Sequence, residues 1–208
     1  VSGNIEPLTF PYLLVDLHRH GATGSLKVTG ATHPKALYFR SGRILFGSSA
    51  CFQSVPCERR YDEVANLCVM NRDGSGVRRL TDNPAIDSTP TWSPTGTQVA
   101  FTSDRTGTPQ IYVVGPDGSG LRRLTFESYA DRATWSPAPY NEIAFTARTG
   151  PGFDIKILGI ASGETRQITF GEGSNESPAW APNGRHLAFM STRAGRSQIF
   201  TVDRDGRN

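Results

Sequence analysis

The sequence predicts a mainly β chain: a partial β-propeller of about three four-stranded blades, preceded by a small α+β segment. Three observations predict it. Leu80-Thr81 is echoed at Leu124-Thr125 and at Ile168-Thr169, Ala100-Phe101 returns at Ala144-Phe145 and Ala188-Phe189, and Leu67 is followed by Ile111, Ile155 and Ile199, each step being 44 residues. Between these landmarks lie short alternating segments broken by Gly, Pro, Asp and Asn, with no sustained helical period. A helical solenoid is excluded by that punctuation, and a plain sandwich leaves the fixed period unexplained.

Residues 1–50 stand outside the repeat. Phe10, Leu13, Leu14 and Leu17 share one face of a short helix, with Thr9 as cap, Pro11 in the first turn and Gly21 at the end. Residues 24–30 and 36–46 read as strands, the second folded at Ser41-Gly42. Residues 51–65 read as a linker. Cys51 and Cys57 could close a small disulfide loop or be ordinary thiols, and Cys68 falls in a strand. Zinc is not expected, because the spacing is not Cys-x-x-Cys and no second ligand pair follows.

Residues 66–208 carry the repeats. Residues 66–81 read as the outer strand pair of a blade whose inner pair is missing. Residues 87–125 and 131–169 are two full blades, and residues 175–202 supply three strands. In the first full blade the strands are expected at 89–92, 98–103, 110–114 and 121–125. The hairpin before the last is closed by Asp117-Gly118, which readily takes positive φ. Trp92, Trp135 and Trp180 are expected to wedge between neighbouring blades. Trp135 comes one residue early, and the turn at 136–142 restores the phase. A closed ring needs about four to eight blades. The chain is therefore expected to expose blade faces, as a fragment or as a self-associating arc.

The chemistry-bearing residues give no catalytic set. There is no Gly-x-Ser-x-Gly elbow, and Ser93 and Ser136 sit in repeated turns without a partner His. The position of His186 is taken by Gln98 and Glu142 elsewhere, which suits solvent. His18 and His20 suit the C-terminus of the short helix better than a metal. The Asp-Gly-Ser-Gly turns lack the Lys of a phosphate loop. No cofactor or metal is expected. Asp87, Asp131 and Asn175 are spaced at the repeat just before the innermost strands, followed by Ser88, Arg132 and Glu176. They could line the channel mouth and hold a cation or a basic peptide, or cap strand ends. Arg105, Arg148 and Arg193 precede Gly-containing turns and are expected to bond between blades. Arg78-Arg79 and Arg122-Arg123 place charge on outer strands, which discourages edge pairing. The net charge of +3 argues for no nucleic-acid partner. No run reaches the roughly 20 apolar residues of a membrane span, and no secretory leader is visible.

The turns WSPTG, WSPAP and WAPNG, the strand pairs AFTSDRTGTPQIYVV, AFTARTGPGFDIKIL and AFMSTRAGRSQIFTV, and the hairpin DGSGLRRLT resemble the TolB-type, WD-like propeller repeats. The resemblance implies a non-enzymatic binding scaffold whose partners are envelope proteins, such as the peptidoglycan-associated lipoprotein and Tol-system subunits. It also implies a periplasmic location. Similar repeats form the gating propeller of prolyl-oligopeptidase-type serine peptidases, an alternative that needs a hydrolase domain outside this sequence. The segments SGNIEPLTFPYLL, GATGSLKV and KALYFRSGRILFGSSA resemble the first half of a small bacterial signalling module, the PATAN-like module. That likeness implies a cytoplasmic sensor as a further alternative.

Overall fold

The computed structural model describes residues 24–29, 34–40, 43–48, 66–71 and 75–207. Among them there is no helix, and the strands form four antiparallel sheets in chain order. Sheet I runs β1 (Gly24–Thr29), β2 (Pro34–Arg40), β3 (Arg43–Ser48), β4 (Asn66–Asn71) and β5 (Arg78–Arg79). Sheet II is β6 (Asp87–Trp92), β7 (Val99–Ser103), β8 (Gln110–Val114) and β9 (Arg122–Arg123). Sheet III is β10 (Ala130–Trp135), β11 (Glu142–Thr149), β12 (Gly152–Gly159) and β13 (Thr165–Gln167). Sheet IV is β14 (Asn175–Trp180), β15 (His186–Ser191) and β16 (Gln198–Asp203).

Sheet I corrects the expectation that the first blade lacks its inner strands. Strand β3 pairs with β4, Leu45 opposite Val69 and Phe46 opposite Cys68, and β2 and β1 extend the sheet. The physical reason is burial. Leu45, Leu67 and Val69 share one apolar cluster with Trp92, Val99 and Phe101 of sheet II, and β4 without β3 would leave a backbone edge unpaired beside that cluster. Cys68 is buried on β4. The helix expected around Phe10–Leu17, His18, His20 and the junction with Cys51 and Cys57 lie outside the described residues.

Two local devices recur from sheet to sheet. The turns after Trp92 and Trp135 are clipped by a serine: Ser93 Oγ accepts from Gln98 N–H at 3.0 Å and Ser136 Oγ from Glu142 N–H at 2.9 Å; after Trp180 that position is Ala181. Both serines are buried, so their recurrence answers to turn geometry. The recurring Thr is a clasp. The hydroxyls of Thr81, Thr125 and Thr169 donate to Asn66, Gln110 and Asp154, and each accepts a backbone N–H, from Leu67, Ile111 and Ile155. In sheets I, II and III the outermost strand is thereby tied to the strand before it, with the buried donors and acceptors satisfied.

Apolar clusters fill the boundaries between sheets. Trp92 joins sheets I and II. Trp135 lies with Ala100, Ile111 and Val113 of sheet II and with Ile143 and Phe145 of sheet III. Trp180 packs on a cluster that holds Ile155 and Ile157 of sheet III and Leu187 and Phe189 of sheet IV. It also donates Nε1–H to Thr134 O at 3.2 Å. Successive first strands β6, β10 and β14 touch one another, and β10 lies across β7 and β8 of the preceding sheet. This is propeller packing, with first strands gathered at the centre. On sheet IV, Ile199 is exposed, whereas Ile111 and Ile155 at the same repeat position are fully buried under the next sheet.

An acid clamp reinforces the boundary between sheets III and IV. Glu142 at the start of β11 is buried and receives Arg166 of β13 at 2.8 and 3.2 Å, and Arg204 beyond β16 at 2.6 and 2.8 Å. Arg204 also stacks 4.3 Å over the Tyr140 ring. Burial pushes the Glu142 carboxyl up, but the hydrogen bonds from Arg204 and Arg166, with their charge, outweigh it and hold it below its ordinary value. A carboxyl lowered on folding adds stability above its unfolded pKa, which is lost as pH falls through the folded value. The Glu142→Gln variant is therefore expected to lose about 1–3 kcal/mol at pH 7. Its deficit against the parent should shrink below pH of about 4. Urea unfolding of both proteins at neutral and acid pH measures this, and a deficit constant with pH would assign the loss to packing.

Candidate partner-binding face at the inner strands

Each innermost strand of sheets II to IV is bulged at the same place. The ladder shifts between Ser88 and Thr91, between Asp131 and Thr134, and between Glu176 and Ala179. Inside each bulge one non-glycine residue has positive φ: Thr89 at 47°, Arg132 at 55° and Ser177 at 56°. Such a conformation costs about 1–3 kcal/mol per residue and persists only where the surroundings hold it. For Arg132 and Ser177 the preceding blade holds it. Thr102 Oγ1 of β7 accepts from Arg132 N–H at 3.2 Å, and Thr146 Oγ1 of β11 accepts from Ser177 N–H at 3.0 Å. Thr102 in turn donates to Asp131 Oδ1 at 2.8 Å. Thr102 and Thr146 were not singled out from the sequence, although they are one repeat apart; in sheet IV the position is Met190.

The bulges separate residues that the spacing had grouped. By ladder register, Asp87, Ala130 and Asn175 are equivalent, opposite Ser103, Ala147 and Ser191. Asp131 belongs one step on, with Ser88 and Glu176, opposite Thr102, Thr146 and Met190. Because side chains alternate along a strand, that one step changes the face. Asp87 and Asn175 are fully buried. Asp87 accepts both oxygens' worth of bonding from Arg105 Nη2, at 3.0 and 3.1 Å, and Asn83 Nδ2 at 2.7 Å. Asn175 accepts from Arg193 Nη2 at 3.1 Å and donates to Asp154 at 2.9 Å. Neither side chain is available at a channel mouth.

The arginines likewise depart from the expectation of bonding between blades. Arg105 bonds to Asp87 and Ser103 and stacks on Phe101 and Tyr112, all of sheet II. Arg193 bonds to Asn175 and Ser191 and stacks on Phe189 and Phe200, all of sheet IV. Both tie the innermost strand to the loop between the second and third strands of the same sheet. Arg148 has no such acceptor, since Ala130 replaces the Asp or Asn; it stacks on Phe153 within sheet III.

What remains at the surface is Asp131, Arg132, Glu176 and Ser177. The Arg132 side chain is 46% exposed and sits 3.7 Å from Asp131 and 4.0 Å from Glu176. It also donates to Ser177 Oγ of the next blade. Ser174 Oγ holds Glu176 at 2.9 Å. Tyr129 donates to Asp131 at 3.2 Å; burial first, then the Asp131 charge, pushes its phenol up. Two carboxylates around one guanidinium give a fixed, mixed-charge surface with an acidic excess. Among the described residues no group of three His, Cys, Asp or Glu could hold a metal ion. His186 pairs with Asp203 at 2.7 Å on the exterior.

The family model described as the TolB beta propeller domain matches residues 53–208. The chain belongs to the TolB β-propeller family. Among curated relatives, the Tol-Pal system protein TolB of Bordetella pertussis is 52% identical over 134 residues, covering 64% of this chain and 30% of its own. That of Bordetella parapertussis is 51% identical over the same length. The chain thus spans about a third of the length of these relatives. Among solved structures, TolB from Acinetobacter baumannii superposes with a TM-score of 0.69 at 23% identity, covering 88% of this chain and 49% of that one. Puromycin hydrolase does so with a TM-score of 0.59 at 17% identity, covering 89% and 27%. At these identities the superpositions speak for the fold alone. Among the described residues of this family member, no helix is long and apolar enough to cross a membrane.

Proposed function

We propose that this TolB-family segment is a non-catalytic binding scaffold in the bacterial envelope. Its inner-strand face would receive a protein partner of the Tol-Pal type. The observation that carries the reading is Arg132. Its backbone is held at positive φ by Thr102 of the blade before, and its guanidinium is held by Ser177 and Glu176 of the blade after. A charged side chain fixed in this way meets a partner with little rotamer entropy left to lose, and strained, over-determined backbone of this kind gathers at binding sites. Asp131 and Glu176 add the acidic excess, which suits a basic partner segment. The relatives' designation as Tol-Pal system proteins points to the same class of partner. The uncovered face of sheet IV also supports association with a further blade of this kind.

The test is isothermal titration with the soluble domain of a peptidoglycan-associated lipoprotein. Saturable binding is expected, and the double variant Arg132→Ala, Glu176→Ala should weaken it at least tenfold, equivalent to about 1.4 kcal/mol. Binding indifferent to both substitutions would remove the inner-strand face from the interaction. Turnover of peptide substrates by the purified protein would overturn the non-catalytic reading.

A further inference from the structure

The outer rim contains a second surface, where one blade boundary differs from its two neighbours. Arg78 on β5, Arg122 on β9 and Arg166 on β13 are equivalent by ladder register, opposite Val69, Val113 and Ile157. Arg78 donates across the boundary between sheets I and II to Pro116 O. Arg166 donates across the boundary between sheets III and IV to Arg204 O at 3.2 Å. The corresponding acceptor for Arg122 would be Ile160 O, one repeat from each of the other two, and that bond is not made. Arg122 makes no hydrogen bond or ion pair among the described residues, and it is exposed.

The outer hairpins give the physical reason. In sheets II and IV the turn closes over four residues, Gly118 N–H to Gly115 O and Gly206 N–H to Asp203 O. In sheet III, which has Ala161-Ser162-Gly163 where the others have Asp-Gly, it closes over five, Gly163 N–H to Gly159 O. A groove of about 440 Å³ opens at this boundary, lined by Arg122, Leu124, Phe126, Leu158, Ile160 and Thr165 among others. Leu158 is buried, and Leu124 and Ile160 are partly so. Phe126, by contrast, is 80% exposed with Arg123 stacked 4.6 Å over its ring. Glu127 borders the same groove, but Lys156 neutralises it at 2.9 Å. Among the described residues Arg123 bonds only to Thr125 O and Thr106 Oγ1. The groove therefore offers an apolar floor and two guanidiniums without a counter-charge, beside β9, the outermost strand of sheet II.

We propose that this groove binds an extended acidic peptide segment of a partner, with a carboxylate on Arg122 and an apolar side chain against Leu124, Ile160 and Phe126. The charge decides the occupant. A basic or neutral strand would leave both guanidiniums unanswered, whereas an Asp or Glu beside a Leu or Phe completes the bidentate pairing that Arg favours and covers the phenyl ring. The edge of β9 allows such a segment to lie alongside it. This site is separate from the inner-strand face and does not depend on that reading.

The experiment is fluorescence anisotropy on the full chain. The probe is a fluorescein-labelled octapeptide of alternating aspartate and leucine, compared with lysine-leucine and aspartate-serine octapeptides. The aspartate-leucine probe is expected to bind saturably and the other two at least tenfold more weakly. Arg122→Ala should weaken binding tenfold or more, and Thr165→Tyr, which fills the groove and spares Arg122, should also weaken it. Arg78→Ala, whose guanidinium is already engaged, should change nothing. Circular dichroism checks that each variant keeps its β spectrum, and Arg122 is exposed enough to be removed without loss of fold. No saturable binding of the aspartate-leucine probe, equal binding of the aspartate-serine peptide, or indifference to Arg122→Ala would each overturn the proposal.

Discussion

The Trp135→Ala variant is expected to lose about 3–5 kcal/mol of unfolding free energy. The indole is 6% exposed and lies in the cluster that joins sheets II and III. Its Nε1–H donates to Asn141 Oδ1 at 2.9 Å. Asn141 itself has a positive φ of 51°, so the indole anchors the very turn that absorbs the extra residue. Truncation opens a cavity between two sheets that no single side chain can refill, and it frees a strained turn. Trp180→Ala should cost less, because that indole is only partly buried. Urea unfolding followed by far-UV circular dichroism measures both. A loss under about 1 kcal/mol for Trp135→Ala would mean that this boundary is held by other contacts.

Asp87→Ala is expected to be as damaging, about 3–5 kcal/mol, while Asp87→Asn should cost much less. Asp87 is fully buried and Arg105 keeps only 17% of its side chain exposed. Removing the carboxylate strands a guanidinium wedged over Phe101 and Tyr112 at 5.4 and 4.8 Å. It also strands the Asn83 amide. Asparagine can serve because sheet IV already uses it. Asn175 accepts from Arg193, whose Nε donates to Ser191 at 3.1 Å, much as Arg105 Nε donates to Ser103 at 2.8 Å. The same unfolding measurement decides. Equal losses for Ala and Asn would show that the charge of Asp87, and not its hydrogen-bonding shape, holds the loop.

Much of the propeller was legible in the chain because it is carried by local, repeated chemistry. The step from Leu80-Thr81 to Leu124-Thr125 to Ile168-Thr169 marks the threonine clasps, and the three tryptophans mark the sheet boundaries. The inner strands of sheet I were not legible. The segments 36–46 and 66–81 read as strands, but nothing local says that one pairs with the other across an unrelated stretch. Their pairing rests on Leu45, Leu67 and Val69 meeting Trp92, a contact between distant parts of the chain.

The sequence by itself determined the repeat, its period, its turns and the residue types that each blade must bury, because these follow from periodicity and backbone preference along the chain. Tertiary structure alone decided which polar residues are spent on the fold. A bulge in β6, β10 and β14 moves Asp131 one step away from Asp87 and Asn175. That step sends two of the three side chains into the blade to meet Arg105 and Arg193 and leaves the third at the surface beside Arg132. A positive φ held by a neighbouring blade's threonine leaves no mark in its own segment, so the face could be read only once the blades were packed.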